Sequence, residues 1–234
     1  MPIERPISSD SAKATVVIPT LPRRDHTRVV ESLKKQTVME YEVLAVNSDE
    51  LDICEARNRG LTEANTDLVL FTDDDCQPPP DWVERAVRQF QNEELVLLEG
   101  PLDLHRPGPR HYVGANLAVD RDAAMEVGGF DSRFAGWRDD TEFGWRMEKH
   151  HGVDKCRYDS TWLMRHPGEF GSERRLPNEL RFNMLYSRRV HSLITNPNSK
   201  FKQLYIEVRQ RWYKVLGHIY KRFVYSSPKP LASA

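Results

Sequence analysis

Short, nearly continuous apolar runs alternate with stretches of helical spacing through the first half of the chain. Ala14-Thr15-Val16-Val17-Ile18, stopped by Pro19, reads as a buried strand, as do Tyr41-Glu42-Val43-Leu44-Ala45-Val46 and Asp67-Leu68-Val69-Leu70-Phe71-Thr72. Between them, His26 to Gln36 places Val29, Val30 and Leu33 at helical spacing, and Ile53 to Ala64 is predicted as a second helix. Strand and helix in alternation, with short connections, predict an α/β fold: a doubly wound, mainly parallel sheet flanked by helices. Three strand ends then lie along one edge: Thr20, the polar turn Asn47-Ser48-Asp49, and the triplet Asp73-Asp74-Asp75. Open α/β sheets bind ligands at that edge.

Further along, Pro80 to Phe90 predicts a helix with Trp82, Val83, Ala86, Val87 and Phe90 inward, and Leu95–Glu99 a strand. His111 to Val119 reads as extended, and Asp120 as the cap of a short helix ending at Gly128-Gly129. Asp140 to His150 is predicted helical, with Asp139 as N-cap and Glu142 three residues later completing a capping box. Lys155–Tyr158 reads as a strand and Gly168 to Gly171 as a mobile loop. The last stretch changes character. Asn178 to Ile194 and Phe201 to Tyr225 read as basic amphipathic helices joined at Asn196-Pro197-Asn198. The expected organisation is a flexible N-terminus over residues 1–13, an α/β domain over 14–170 and a basic helical extension over 171–234.

With 29% charged and 39% hydrophobic residues, the chain is an ordinary soluble globular protein in composition. Its net charge of −1 hides a division: residues 171–234 carry 13 Lys and Arg against 3 Asp and Glu, residues 1–170 carry 21 against 32. Basic residues interleaved with Trp, Tyr and Phe suit an anionic membrane surface. The same helices would equally serve to cover the core and show solvent a basic face. Cys54, Cys76 and Cys156 form no C-x-x-C pair, which speaks for a reducing compartment and against a disulfide framework. No run reaches the length of a spanning helix, and the N-terminus lacks a signal-peptide core. A cytoplasmic location follows as the expectation, peripheral at the cytosolic membrane face if the tail binds lipid.

Three adjacent carboxylates repel one another, and packing gives no reason to place them together. A hard cation such as Mg²⁺ or Mn²⁺ bridging to a substrate phosphate would relieve that repulsion. The plainer reading is a solvated acidic turn with one Asp capping the next helix, but a cap needs only one. Neither G-x-G-x-x-G nor G-x-x-x-x-G-K-[ST] follows a strand, so a dinucleotide fold and a P-loop are unsupported. Arg57 and Arg59 add cations on the second helix, either toward the site or on a solvated face. The capping box accounts for Asp139 and Glu142 and leaves Asp140 free to act as a general base. His166 alone is a surface or satisfied histidine as readily as a ligand.

Assembled, these residues resemble the family 2 glycosyltransferases, which have the GT-A fold. The matching elements run in order: Val16-Val17-Ile18-Pro19-Thr20, Gln36-Thr37, Ala56-Arg57-Asn58 with Gly60, Phe71-Thr72-Asp73-Asp74-Asp75, and Pro79 with Trp82. They continue through Gly114-Ala115-Asn116, Val127-Gly128-Gly129-Phe130-Asp131 and Asp139-Asp140-Thr141-Glu142 with Arg146. The resemblance covers residues 14–170 and implies metal-dependent transfer of a sugar from a UDP- or GDP-linked donor to a glycan or lipid-linked acceptor, usually with inversion. It implies Asp75 and His166 as ligands of Mn²⁺ or Mg²⁺, and Asp140 as catalytic base. Donor contacts fall to Pro19, Thr20, Asn47, Arg57, Asp73 and Asp74, with Asp73 near the ribose; acceptor contacts fall to Trp137 and Asp139. Nucleic acid is not among the partners it implies. Two stretches depart from the family pattern: Val46-Asn47-Ser48-Asp49 stands where Asp-Asp-Gly-Ser is common, and Asp139-Asp140 where Glu-Asp is usual. Two rival readings remain at this level. A nucleotidyltransferase also binds metal and nucleotide on an α/β sheet, but lacks support in Thr20-Leu21-Pro22-Arg23-Arg24, which is not Gly-rich. A catalytically inactive, transferase-like binding subunit is the other.

Overall fold

The computed structural model describes residues 3–104, 108–167, 175–187 and 200–232. The loop expected at 168–171, the helix end expected at 188–194 and the joint at 196–198 lie outside the described residues. Among them, β1 (Ile3–Ile7), β2 (Ala14–Thr20), β3 (Tyr41–Asn47), β4 (Leu68–Phe71), β5 (Leu97–Glu99), β6 (Leu117–Asp120) and β7 (Cys156–Tyr158) form one sheet. Its spatial order is β1-β3-β2-β4-β6-β5-β7. The predicted parallel unit is present at its centre, with Val16 of β2 facing Val43 of β3 and Leu70 of β4. Only β1 and β6 run against the other strands. Leu117, at the start of β6, faces Phe71 on one side and Glu99 on the other. The ends of β2, β4 and β5 and the entry to β6 therefore meet along one edge.

The helices are α1 (Thr27–Leu33), α2 (Ile53–Glu63), α3 (Trp82–Asn92), α4 (Arg121–Glu126), α5 (Asp139–His151), α6 (Leu176–Leu185) and α7 (Lys200–Phe223). Side chains alternate across the strands, so the sheet has a core on each face. Val17, Phe71 and Leu117 join Phe130, Phe143 and Trp145 on one side. Val16, Ile18 and Leu70 join Trp82, Val83 and Trp162 on the other. The rings of Trp82 and Trp162 stack with centroids 5.4 Å apart.

Helix α2 sets the site. Asp52 accepts from the N–H groups of Cys54 and Glu55, while Glu55 reaches back to the Asp52 N–H, a complete capping box. Gly60 then lets the helix lie directly on β2, since a Cβ there would come 2.3 Å from Val17 Cγ1. One turn earlier, Arg57 is held over the strand ends.

Three expectations are corrected. Residues 3–7 are not frayed: they pair antiparallel with β3, because that edge offers unpaired backbone groups and Ile7 packs on the core. Arg5 also reaches Glu42, 2.8 Å away. Second, α5 has no capping box. Arg138, in a left-handed conformation (φ 71°), is its N-cap and makes no side-chain capping bond. Asp139 is claimed by Arg57 at 2.8 Å, and Glu142 by Arg146 at 2.7 Å and the Tyr186 hydroxyl at 2.9 Å. A long-range cation, Arg57, and one a turn away on the same helix, Arg146, outcompete the local cap. Third, the stretch 111–119 is not wholly extended; Gly114–Asn116 is a 3₁₀ turn leading into β6.

The C-terminal part belongs to the same body. Phe182 and Leu185 of α6 join the first core, and α7 packs across α6. After α7 the chain turns back: the Leu231 N–H donates to Met125 O at 2.9 Å, and Pro228 and Leu231 lie against Gly128 and Gly129.

Candidate active site

A cleft of about 560 Å³ opens at the carboxyl edge of the sheet. Pro19 and Thr20 from β2, Arg57 from α2, the acid triplet after β4 and the first turn of α5 form its walls, and His166 closes one side.

The triplet divides into three environments. Asp74 is buried, its carboxylate accepting from Thr20 Oγ1 at 2.8 Å and Arg24 Nη1 at 2.9 Å, so it braces the loop after β2. Asp73 is partly open and lies 3.3 Å from Arg57 Nη2. Asp75 faces His166: its Oδ1 is 3.3 Å from His166 Nε2, close enough for an ion pair yet not aligned as a hydrogen bond. Among the described residues that buried oxygen has no hydrogen-bond donor, and the His166 backbone N–H is fixed by Asp103 at 3.0 Å. A carboxylate oxygen lacking a donor beside an imidazole nitrogen fits a divalent cation of the Mn²⁺ or Mg²⁺ kind. Cys76 is the third potential ligand within 4.8 Å. Burial pushes its thiol well above the ordinary value, so it stays protonated.

Arg57 ties the two acidic groups together. It bonds Asp139 Oδ2 at 2.8 Å as well as Asp73, and its guanidinium lies 5.1 Å from the centroid of the Phe130 ring. Burial pushes the Asp139 carboxyl up to about 7, with Asp140 adding to the shift and Arg57 opposing it. Asp140 is raised too, by burial, against the pull of Arg57 and two N–H donors. Those donors are Gly114 N at 3.1 Å and Thr141 N at 2.6 Å, and they fix the carboxylate facing the cleft. Gly114 is needed there, because a Cβ would come 2.5 Å from Arg57 Nη2.

Pro19, Thr20, Arg57, Asp73, Asp74, Asp75, Asp139, Asp140 and His166 thus share one cleft. Asn47 and Trp137 are not on its walls. Asn47 Nδ2 donates to Glu4 Oε1 at 2.9 Å on the far side of the strand end, and neighbouring Ser48 takes the cleft position. Trp137 Nε1 donates to Glu179 Oε2 at 2.8 Å, which turns the ring toward α6. One supporting residue was not signalled by sequence. Glu99, at the end of β5, accepts from the backbone N–H of Arg110 at 2.8 Å and from that of Tyr112. Both donors sit in left-handed conformations, φ 73° and 55°, so Glu99 pins a strained loop just before Gly114. Burial pushes its carboxyl up to about 7.

The model of glycosyl transferase family 2 matches residues 49–190. The chain belongs to glycosyl transferase family 2. Within the curated members of known proteins, a glucosyl-dolichyl phosphate glucuronosyltransferase of Haloferax volcanii is 27% identical over 118 residues. That match covers 38% of this chain and 38% of the relative, so the chain spans well under half of that protein's length. Among solved structures, a mannosyltransferase from Pyrobaculum calidifontis, in complex with GDP-Man and Mn²⁺, superposes with a TM-score of 0.57 at 14% identity. It covers 96% of this chain and 80% of that one. TarS 1-349 of S. aureus, in complex with UDP-GlcNAc, gives a TM-score of 0.60 at 14% identity over 91% of this chain and 76% of that chain. These two likenesses establish the GT-A fold of this family 2 chain and nothing finer.

Proposed function

We propose that this family 2 chain transfers a glycosyl group from a UDP- or GDP-linked sugar to the hydroxyl of a glycan or lipid-linked acceptor, with inversion at the anomeric carbon. The observation that carries the reading is the meeting, in a single cleft, of a cation-competent pair, Asp75 and His166, with a carboxylate poised for proton transfer, Asp140. Asp75 and His166 are the residues that would hold Mn²⁺ or Mg²⁺. Bound there, the cation supplies charge neutralisation for the departing diphosphate.

The chain's own residues do the rest. Pro19, Thr20 and Ser48 line the donor side together with Leu51 and Ile53, a surface suited to a flat, partly apolar base. Arg57 offsets the charge of Asp73 and Asp139, so the cleft repels a diphosphate less than its row of acids would alone. Asp140 takes the proton of the acceptor hydroxyl as the acceptor oxygen bonds to the anomeric carbon and the bond to the diphosphate oxygen breaks. Its raised pKa makes it a better base near neutral pH than an ordinary carboxylate. Asp139, tied to Arg57, positions the acceptor side. The Haloferax relative, whose name specifies a lipid-phosphate glucoside, favours a lipid-linked acceptor.

The test is a screen of nucleotide sugars with Mn²⁺, Mg²⁺ and chelator, reading the phosphate product. Metal-dependent release of nucleoside diphosphate is expected. Pyrophosphate release would instead identify a nucleotidyltransferase, and donor binding without turnover an inactive binding subunit.

A further inference from the structure

Helix α7 is apolar on two sides. On the inner side Ile206 is buried, Gly217 lies against the Met184 carbonyl of α6, and Tyr220 packs on the core. On the outer side Leu204, Val208, Trp212, Val215, Ile219 and Phe223 are 48–73% exposed. At about 100° per residue these six fall on an arc of roughly 100°, a continuous stripe along the whole helix. An exposed stripe of this kind marks an interaction surface. No helix among the described residues is long and apolar enough to cross a membrane.

Charge identifies the occupant. The helix carries seven Lys and Arg against Glu207 alone. Lys214, His218 and Lys221 gather on one margin of the stripe, where with Ser187 they line a cleft of about 390 Å³ between α6 and α7. An apolar stripe bordered by cations matches the boundary between anionic headgroups and acyl chains. A second copy of the chain fits poorly, since pairing two such stripes sets one row of cations beside another.

We propose that the outer face of α7 seats the protein on an anionic bilayer, the stripe entering the headgroup boundary and the Lys214–Lys221 cleft receiving lipid phosphates. The surface stands apart from the catalytic reading, because its test requires no turnover. The intact chain is mixed with vesicles of phosphatidylcholine alone or with added phosphatidylglycerol, and bound protein is measured by co-sedimentation. Binding is expected only with the anionic lipid, and it should weaken as salt shortens the Debye length. Lys214→Ala with Lys221→Ala should lower affinity about 25-fold, at about fivefold for each charge near the surface. Trp212→Ser with Ile219→Ser should lower it at least about tenfold, from the apolar area withheld from the bilayer. Both double variants should melt close to the wild type, since among the described residues these side chains make no hydrogen bond or ion pair. Equal binding to both vesicle types, or none, overturns the proposal. So does a dimer in sedimentation that Trp212→Ser and Ile219→Ser dissolve, which would give the face to a second copy. A large drop in melting temperature for the serine variant would also overturn it, by showing that the stripe is covered by the chain itself.

Discussion

Replacing Arg57 by Met tests how the site holds its acids together. The Arg57 side chain is 6% exposed, that of Asp139 10% and that of Asp73 32%. Asp73 keeps its water, so losing that 3.3 Å contact costs little. Asp139 does not, and removing one partner of a buried ion pair costs about 3–5 kcal/mol. Asp139 has an escape, because it can take up a proton. Its carboxyl is already pushed up to about 7, and Arg57 is the cation that holds it down. Without Arg57 it rises further, so the folded variant keeps a proton that the unfolded chain releases near the ordinary 3.8. More protons bound in the folded state means stability falls as pH rises through that window. The penalty relative to wild type is therefore small near pH ~5 and grows above about 7 by at most about 1.4 kcal/mol per pH unit, reaching about 2 kcal/mol near pH ~8.5, where about 2–4 °C per kcal/mol gives a melting temperature lower by roughly 4–8 °C. Thermal melts of both proteins across that range read the effect directly. Adding Asp139→Asn should restore most of the alkaline loss and flatten the difference. An equal penalty at both pH values, or no rescue by the second change, would refute the account.

The remaining predictions share the same protein and simple assays. Asp140→Asn should lower kcat by about 10²–10⁴ while donor affinity and melting temperature hold, because an amide cannot accept the acceptor's proton; a near-normal kcat would remove Asp140 from the base role. Asp75→Ala should abolish Mn²⁺ binding measured by calorimetry, and His166→Ala should weaken it less, since water replaces one ligand; unchanged titrations would move the cation elsewhere. For Glu99, the folded pKa of about 7 stands above the ordinary 4.5, so its contribution is complete below about 4.5 and fades as pH rises through about 7. The wild-type melting temperature should carry that downward slope, which Asp139 shares, and Glu99→Gln should make it shallower; superimposable profiles would show that the carboxyl does not titrate there.

The strands were legible where burial on both faces makes a run nearly continuous, as in Val16-Val17-Ile18 and Leu68-Val69-Leu70-Phe71, and the carboxyl edge followed from their order. The acids were legible because nothing in packing calls for three together. What sequence could not supply was the direction of a side chain at a strand or helix end. Asn47 turns to Glu4 and Trp137 to Glu179, partners about forty residues away with no trace in local spacing. The supposed cap at Asp139 failed for the same reason: Arg57 lies 82 positions earlier in the chain. Glu99 ended an ordinary strand, and only the left-handed residues it holds reveal its use. Strand β1 was hidden because an edge strand needs only one half-buried face, and Ile3 and Ile7 alone signal it.

The return of residues 225–232 onto α4 acts as a strap. Pro228 and Leu231 press on the turn at Gly128 and Gly129, and Asn58, next to Arg57, bonds both the N–H and the carbonyl of Phe130 just beyond that turn. Cutting the chain before α7 would therefore strip a buttress from behind the guanidinium as well as remove a helix.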